Sequence, residues 1–130
     1  MQKIIYPSDA PPYYSQWKFS PAIESNGFVF VSGCTGSMDD GTVPEGTVAQ
    51  TRQAFKKIRR CLNSAGIELS DIVEITTYHV GLKLQLEEFI RVKDEFIVEP
   101  YPAWTAIGVS ELAAEGAMLE IRVIAKSTSS

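Results

Sequence analysis

The sequence is short of the residues that most often announce a chemistry. It has one histidine, His79, and two cysteines, Cys34 and Cys61. No group of His, Cys, Asp and Glu has metal-ligand spacing, so no metal is expected. The cysteines form no redox or metal motif, and reduced thiols in a cytosol are the simplest expectation. No stretch approaches the roughly 20 apolar residues of a membrane span. The first residues, Met1-Gln2-Lys3-Ile4-Ile5-Tyr6-Pro7, lack the apolar core and small-residue cleavage site of a secretory signal. A cytoplasmic protein with no membrane partner is therefore expected. Positive charge is scarce too: 12 Lys and Arg stand against 16 Asp and Glu, a net charge of -4. Binding phosphates needs a concentrated positive field, so nucleic acid is disfavoured as a partner. The glycines after Ser32 match neither common nucleotide fingerprint, and no cofactor is expected.

What the chain has is an ordinary globular composition, 45% hydrophobic and 22% charged over 130 residues. That is enough for a single domain, residues 1–130, with its own core. There is no internal repeat, and only the 127–130 tail is biased in composition. Residues 7–21 carry four prolines and two tyrosines, a stretch expected to form no more than a short extended piece. Gly27-Phe28-Val29-Phe30-Val31-Ser32-Gly33 reads as a strand, followed by a turn-rich loop at 36–46. Residues 47–65 read as a helix, with Val48, Phe55, Ile58 and Leu62 as its apolar stripe and Gly66 past its C-cap. Its other face, with Arg52, Lys56, Lys57, Arg59 and Arg60, reads as solvated.

A second strand is expected over 71–80, with Val73, Ile75 and Thr77 on one face. A second helix is expected over about 84–97, with Leu86, Phe89, Lys93 and Phe96 on one face. It ends at Glu99-Pro100-Tyr101-Pro102. Two more strands, 104–109 and 118–126, close the chain. The order β–α–β–α–β–β, with room for an extra N-terminal strand, is an α+β fold: a mixed sheet with two helices on one face. The strands near Phe28–Phe30 and 104–109 are apolar on both faces. A second copy of the chain is the natural cover for the side that the helices leave open.

On the last strand Leu119, Ile121, Val123 and Ala125 share one face, and Glu120 and Arg122 point the other way. Glu120 has two readings. It is an acid or base with a raised pKa at a subunit seam, or it pairs structurally with Arg122 across the interface. His79, with no nucleophile near it in sequence, reads as structural. Cys34 reads as a small buried thiol, and Cys61 as packed on its helix.

These pieces together resemble the RidA family, also called YjgF or endoribonuclease L-PSP, over nearly the whole chain. The matching segments are Ser20-Pro21-Ala22-Ile23, Phe28-Val29-Phe30-Val31-Ser32-Gly33, Ala49-Gln50-Thr51-Arg52-Gln53-Ala54-Phe55, Ala65-Gly66, Pro102-Ala103-Trp104-Thr105-Ala106-Ile107-Gly108-Val109 and Leu119-Glu120-Ile121-Arg122-Val123-Ile124-Ala125. The resemblance implies a chorismate-mutase-like fold assembled as a homotrimer, with small-molecule clefts between subunits. It also implies hydrolysis of reactive enamines and imines such as 2-aminoacrylate to a keto acid and ammonia. In that family an Arg in a Pro-Ala-Arg motif holds the substrate carboxylate, a Glu on the final strand handles water, and a Tyr and an Asn stand nearby.

Carried over, the Glu is Glu120 and the strand-end Ser is Ser32. Trp104 stands at the Arg position and Phe19 at the Tyr position. The Asn falls at Ile90, or at Phe89 with the helix shifted by one residue, and Ala106 replaces a frequent Cys. Trp cannot supply the bidentate fork that holds a carboxylate. A cleft more apolar throughout than the family's and a neutral or aromatic substrate are therefore expected, with Glu120 catalytic and Trp104, Phe19, Ser32, Ile90, Ala106 and Phe89 lining the site. The alternatives are a non-catalytic small-molecule-binding trimer and, less favoured by the acidic charge, a ribonuclease or translation inhibitor.

Overall fold

A computed structural model describes residues 2–127; the 128–130 part of the biased tail lies outside the described residues. The elements run β1 (Lys3–Ile5), α1 (Tyr13–Trp17), β2 (Ala22–Ser25), β3 (Phe28–Thr35), α2 (Thr47–Asn63), β4 (Ile72–His79), α3 (Leu82–Phe96), β5 (Ala103–Gly108) and β6 (Leu119–Lys126). They form one six-stranded sheet in the order β1-β2-β3-β6-β4-β5. Only β4 and β5 pair in parallel, because α3 carries the chain back between them. No helix is long and apolar enough to cross a membrane among the described residues.

Both long helices lie on one face, as the periodicity implies. Phe55, Ile58 and Leu62 of α2 are fully buried with Val29, Ile75, Ile121 and Val123 of the sheet. Phe55 stacks on Phe96 of α3 at 5.2 Å between ring centroids. Strand alternation holds on β6, where Leu119, Ile121, Val123 and Ala125 are buried and Arg122 and Lys126 are exposed.

The structure corrects several expectations. Residues 7–21 form a short helix, α1. Pro12 sits just before its first turn, where no amide hydrogen is required, and Lys18 ends it with φ 62°. On β4 the register shifts between Ile72 and Glu74, so Val73 is 42% exposed and Ile75, Thr77 and His79 form the buried row. Val48 is only half-buried, and Lys57, assigned to the solvated face of α2, is buried. Trp104 and Ala106 of β5 lie on the helix side, so Trp104 is no part of the open face.

Two buried glutamines, one on each long helix, tie the loops to this frame. Gln50 Nε2 donates to the carbonyls of Pro44 (2.9 Å) and Gly116 (3.1 Å), and its Oε1 accepts from the amide of Met118 (2.8 Å). Gln85 Nε2 donates to the carbonyls of Val80 (2.7 Å) and Met118 (2.9 Å). With its amide so committed, Gln85 Oε1 must accept from His79 Nδ1 at 2.9 Å. His79 Nε2 then accepts from the Thr77 hydroxyl at 2.8 Å, which leaves Thr77 Oγ1 to accept from Trp104 Nε1 at 3.0 Å. A neutral histidine satisfies every donor and acceptor of this chain. Burial holds its pKa below the ordinary 6.5, against the pull of Gln85.

His79 is therefore structural, and it sets a pH dependence. Below the unfolded value near 6.5 the unfolded chain takes up a proton that the folded chain refuses, so stability falls as pH drops through that window. Urea midpoints should decline from pH 8 to pH 5, and His79→Gln should flatten the part of the decline that belongs to this group. An unchanged slope would remove the neutral histidine from the account.

Candidate functional site

A cavity of about 820 Å³ opens at the end of β3. Its walls come from the 7–21 segment, the loop after β3, the inner side of α2 and the start of β6. Tyr13, Phe19, Ser32, Cys34, Lys57 and Glu120 all line it. A register shift between Val31 and Cys34 breaks the β3–β6 pairing here and lets the cavity reach both α2 and Glu120.

Glu120 projects against Gly33. A Cβ on that residue would stand 2.2 Å from Glu120 Oε2, so only glycine leaves the carboxyl its place. Among the described residues the carboxyl makes no ion pair, and Arg122 is exposed and does not pair with it. Burial raises the Glu120 pKa above 4.5, and the Lys57 charge opposes the rise.

Lys57 is the residue that sequence reasoning misplaced. Its backbone sits among basic residues, but its side chain turns inward and Nζ donates to Ser37 Oγ at 3.0 Å. Burial pulls its pKa below 10.5, with Cys34, Asp39 and Glu120 pulling the other way and Arg60 adding to the fall. Arg60 is held at the rim by a bidentate pair with Asp39 (2.9 and 3.2 Å). Cys34, expected to be buried, is only half-buried and lines the cavity, yet desolvation raises its pKa to about 11. Tyr13, also missed, stacks on Phe19 at 5.2 Å. Burial, then Cys34, raises its pKa. Beside its apolar walls the cavity thus carries an amine, a carboxyl and a phenol. The clue to Lys57 lay in its spacing: it sits three residues after the buried Ala54 and four before Cys61.

Of the expected site residues, the chain brings together Glu120, Phe19 and Ser32, whose Oγ donates to the Ser20 carbonyl at 2.7 Å. It does not bring Trp104, Phe89, Ile90 or Ala106 to that cavity. Trp104 is in register with Ile75 and Val123, whereas Glu120 is in register with Tyr78 and Ile107, the opposite face by alternation. Trp104 packs on Phe89 at 5.8 Å, and Lys93 Nζ lies 4.6 Å from its ring centre. Phe89 is fully buried, Ile90 is 36% exposed on α3, and Ala106 lies half-buried two residues after Trp104. Within one chain Trp104 therefore does not surround Glu120.

With that geometry in place, the sequence family described as endoribonuclease L-PSP matches residues 9–127. The chain belongs to this family. The RutC family protein YjgH of Escherichia coli (strain K12) is 39% identical over 123 residues, which are 94% of this chain and 92% of that protein. A solved structure described as protein YJGH superposes on this RidA/YjgF-family chain with a TM-score of 0.90 at 36% identity, covering 99% and 98% of the two chains. A 2-iminobutanoate/2-iminopropanoate deaminase of Dermatophagoides farinae is 26% identical over 111 residues, 82% of this chain and 83% of that protein.

The electrostatics of the cavity are open to measurement. By carboxyl-carbon NMR, Glu120 should titrate above 4.5, and Lys57→Met should move it further up, because the ammonium that favours its charge is gone. A midpoint that Lys57→Met leaves in place would mean that the two groups do not face each other.

Proposed function

We propose that this protein hydrolyses a C=N bond, acting as an imine or enamine deaminase with Glu120 as the group that activates water. The observation that carries the reading is Glu120 itself, a half-buried carboxyl with a raised pKa, laid against Gly33 in a cavity wide enough for a small molecule. Such a carboxyl is able to take a proton from water and return it in the next step. Water adds to the imine carbon as Glu120 removes its proton, and the C=N electron pair goes to nitrogen. Glu120 then returns the proton to nitrogen, giving a carbinolamine; it next relays the hydroxyl proton to the same nitrogen, which leaves as ammonia while the C=O bond forms. The named activity of the mite relative supports this reaction class.

The substrate in this reading is neutral or aromatic. Trp104 cannot clamp a carboxylate as an Arg does, and Trp17, Phe19, Val31 and Met38 give the cavity apolar walls. Simple 2-imino acids would then be poor substrates.

The working form is a homotrimer. On the side of the sheet away from the helices, Ile4 pairs with Ile23, Ile23 with Phe30, and Phe30 with Ile124, an apolar row across four strands. Ile4 and Phe30 are 47% and 46% exposed in the single chain, and a row of this kind is normally covered. Trp104 and α3 would reach a Glu120 cavity only across such a seam.

Two experiments test the reading. Light scattering should give about three times the 14.3 kDa chain mass, and Phe30→Asp should release monomers; a monodisperse wild-type monomer would sink the trimer. On a panel of imines, ammonia release should fall about a hundredfold in Glu120→Gln with ligand affinity little changed. Full activity in that variant, or tight binding without turnover in the wild type, would make this a binding protein.

A further inference from the structure

Lys57 is an amine that the fold takes out of water without giving it a carboxylate. The residue is 8% exposed, while its neighbour Lys56 is exposed. An ammonium has three hydrogens to donate, and Ser37 Oγ takes one. Among the described residues Lys57 forms no ion pair. The titratable groups that face it are Cys34 on β3, Asp39 in the following loop, Glu120 on β6 and Arg60 on its own helix. Asp39 is committed to Arg60, the Cys34 thiol keeps its proton at neutral pH, and burial shifts Glu120 toward its neutral form. What remains is a desolvated lysine near a second cation, an arrangement that leaves an amine free to act as a nucleophile.

We propose that Lys57 is a covalent residue of this cavity, its amine adding to the carbon of an aldehyde, ketone or imine that carries an apolar substituent. With a carbonyl compound, the nitrogen lone pair attacks carbon and the C=O electrons go to oxygen, giving a carbinolamine. The hydroxyl leaves as water with a proton from the Glu120 carboxyl, and a C=N bond to Lys57 forms. With an iminium substrate the same attack expels ammonia. The neutral Lys57 amine bonds to the iminium carbon, one of its two protons passes to the substrate nitrogen, and that nitrogen leaves as ammonia. The positive charge stays on the new C=N bond to Lys57. Water then adds to the Lys57-bound carbon, the ketone or aldehyde departs, and the released proton goes to the Glu120 carboxylate. For that natural reaction the inference rests on the hydrolase reading; addition of a carbonyl compound does not. The apolar substituent follows from the walls, where Phe19, Val31 and Met38 share the cavity with the amine.

Benzaldehyde with sodium cyanoborohydride is the probe, because reduction makes the C=N bond to lysine permanent. After brief exposure of the full chain at pH 7.5, peptide mapping should find the benzyl group on Lys57 well before it appears on the exposed Lys56, Lys83 or Lys126. Labelling of those lysines as fast as Lys57, or no label on Lys57, would overturn the proposal. Lys57→Arg should lose the early label. If that variant does not fold, the comparison of lysines within the wild-type chain still decides. An early Lys57 label without Glu120-dependent ammonia release would sink the hydrolase reading and leave this one standing. Ammonia release without the label would do the reverse.

Discussion

The peptide at Met118 is the point on which the rest of this structure turns. Its amide is held by Gln50 of α2 and its carbonyl by Gln85 of α3, so the two helices grip one residue from both sides. Two residues further on stands Glu120. Gln50 also holds the loops at Pro44 and Gly116, and Val43 and Glu115 beside them line the cavity. Neither glutamine can be lost cheaply, because each makes several part-buried hydrogen bonds to backbone groups, worth about 0.5–1.5 kcal/mol apiece. The position of the carboxyl is thus set by helix packing rather than by the loop around it.

That rigidity has a cost written into the site. A carboxyl with a raised folded pKa adds stability only below its unfolded value, and that contribution is lost as pH rises through the folded one. A buried lysine with a lowered pKa works against folding wherever the unfolded chain would protonate and the folded chain resists. The cavity therefore holds an acid and an amine that are both less charged than water would make them. Strain of this kind gathers where a protein does chemistry rather than where it merely packs. By contrast the Gln85–His79–Thr77–Trp104 chain is fully satisfied and has the character of a support.

Much of the fold was legible from periodicity alone. Alternation on β6 separates Glu120 from the core residues correctly, and the stripe of Phe55, Ile58 and Leu62 identifies the buried side of α2. What misled was polarity used as a proxy for exposure. Lys57, Gln50 and Gln85 were hidden because a long side chain can turn its polar end toward a partner that is distant in sequence, and no local pattern records that partner. Val73 failed for another reason: a one-residue bulge reverses the faces before it, and bulges leave little trace in composition. Tyr13 lay in a proline-rich stretch that reads as irregular, although Pro12 is well placed to precede a helical turn. At the site, motif matching found the carboxyl and the strand-end serine but could not see that Trp104 faces the other side of the sheet.

The two cysteines bear on how such a protein survives its own ligands. Both line the cavity, and burial raises Cys34 to about 11 and Cys61 to about 12. At neutral pH an electrophile that diffuses in therefore meets two thiols and almost no thiolate, the form that alkylates fastest. A thioether made by such alkylation is slow to reverse, whereas an imine on nitrogen is undone by water. On the proposed covalent role of Lys57, keeping sulfur protonated beside a desolvated amine would direct a reactive visitor toward the attachment that can be released and away from self-poisoning.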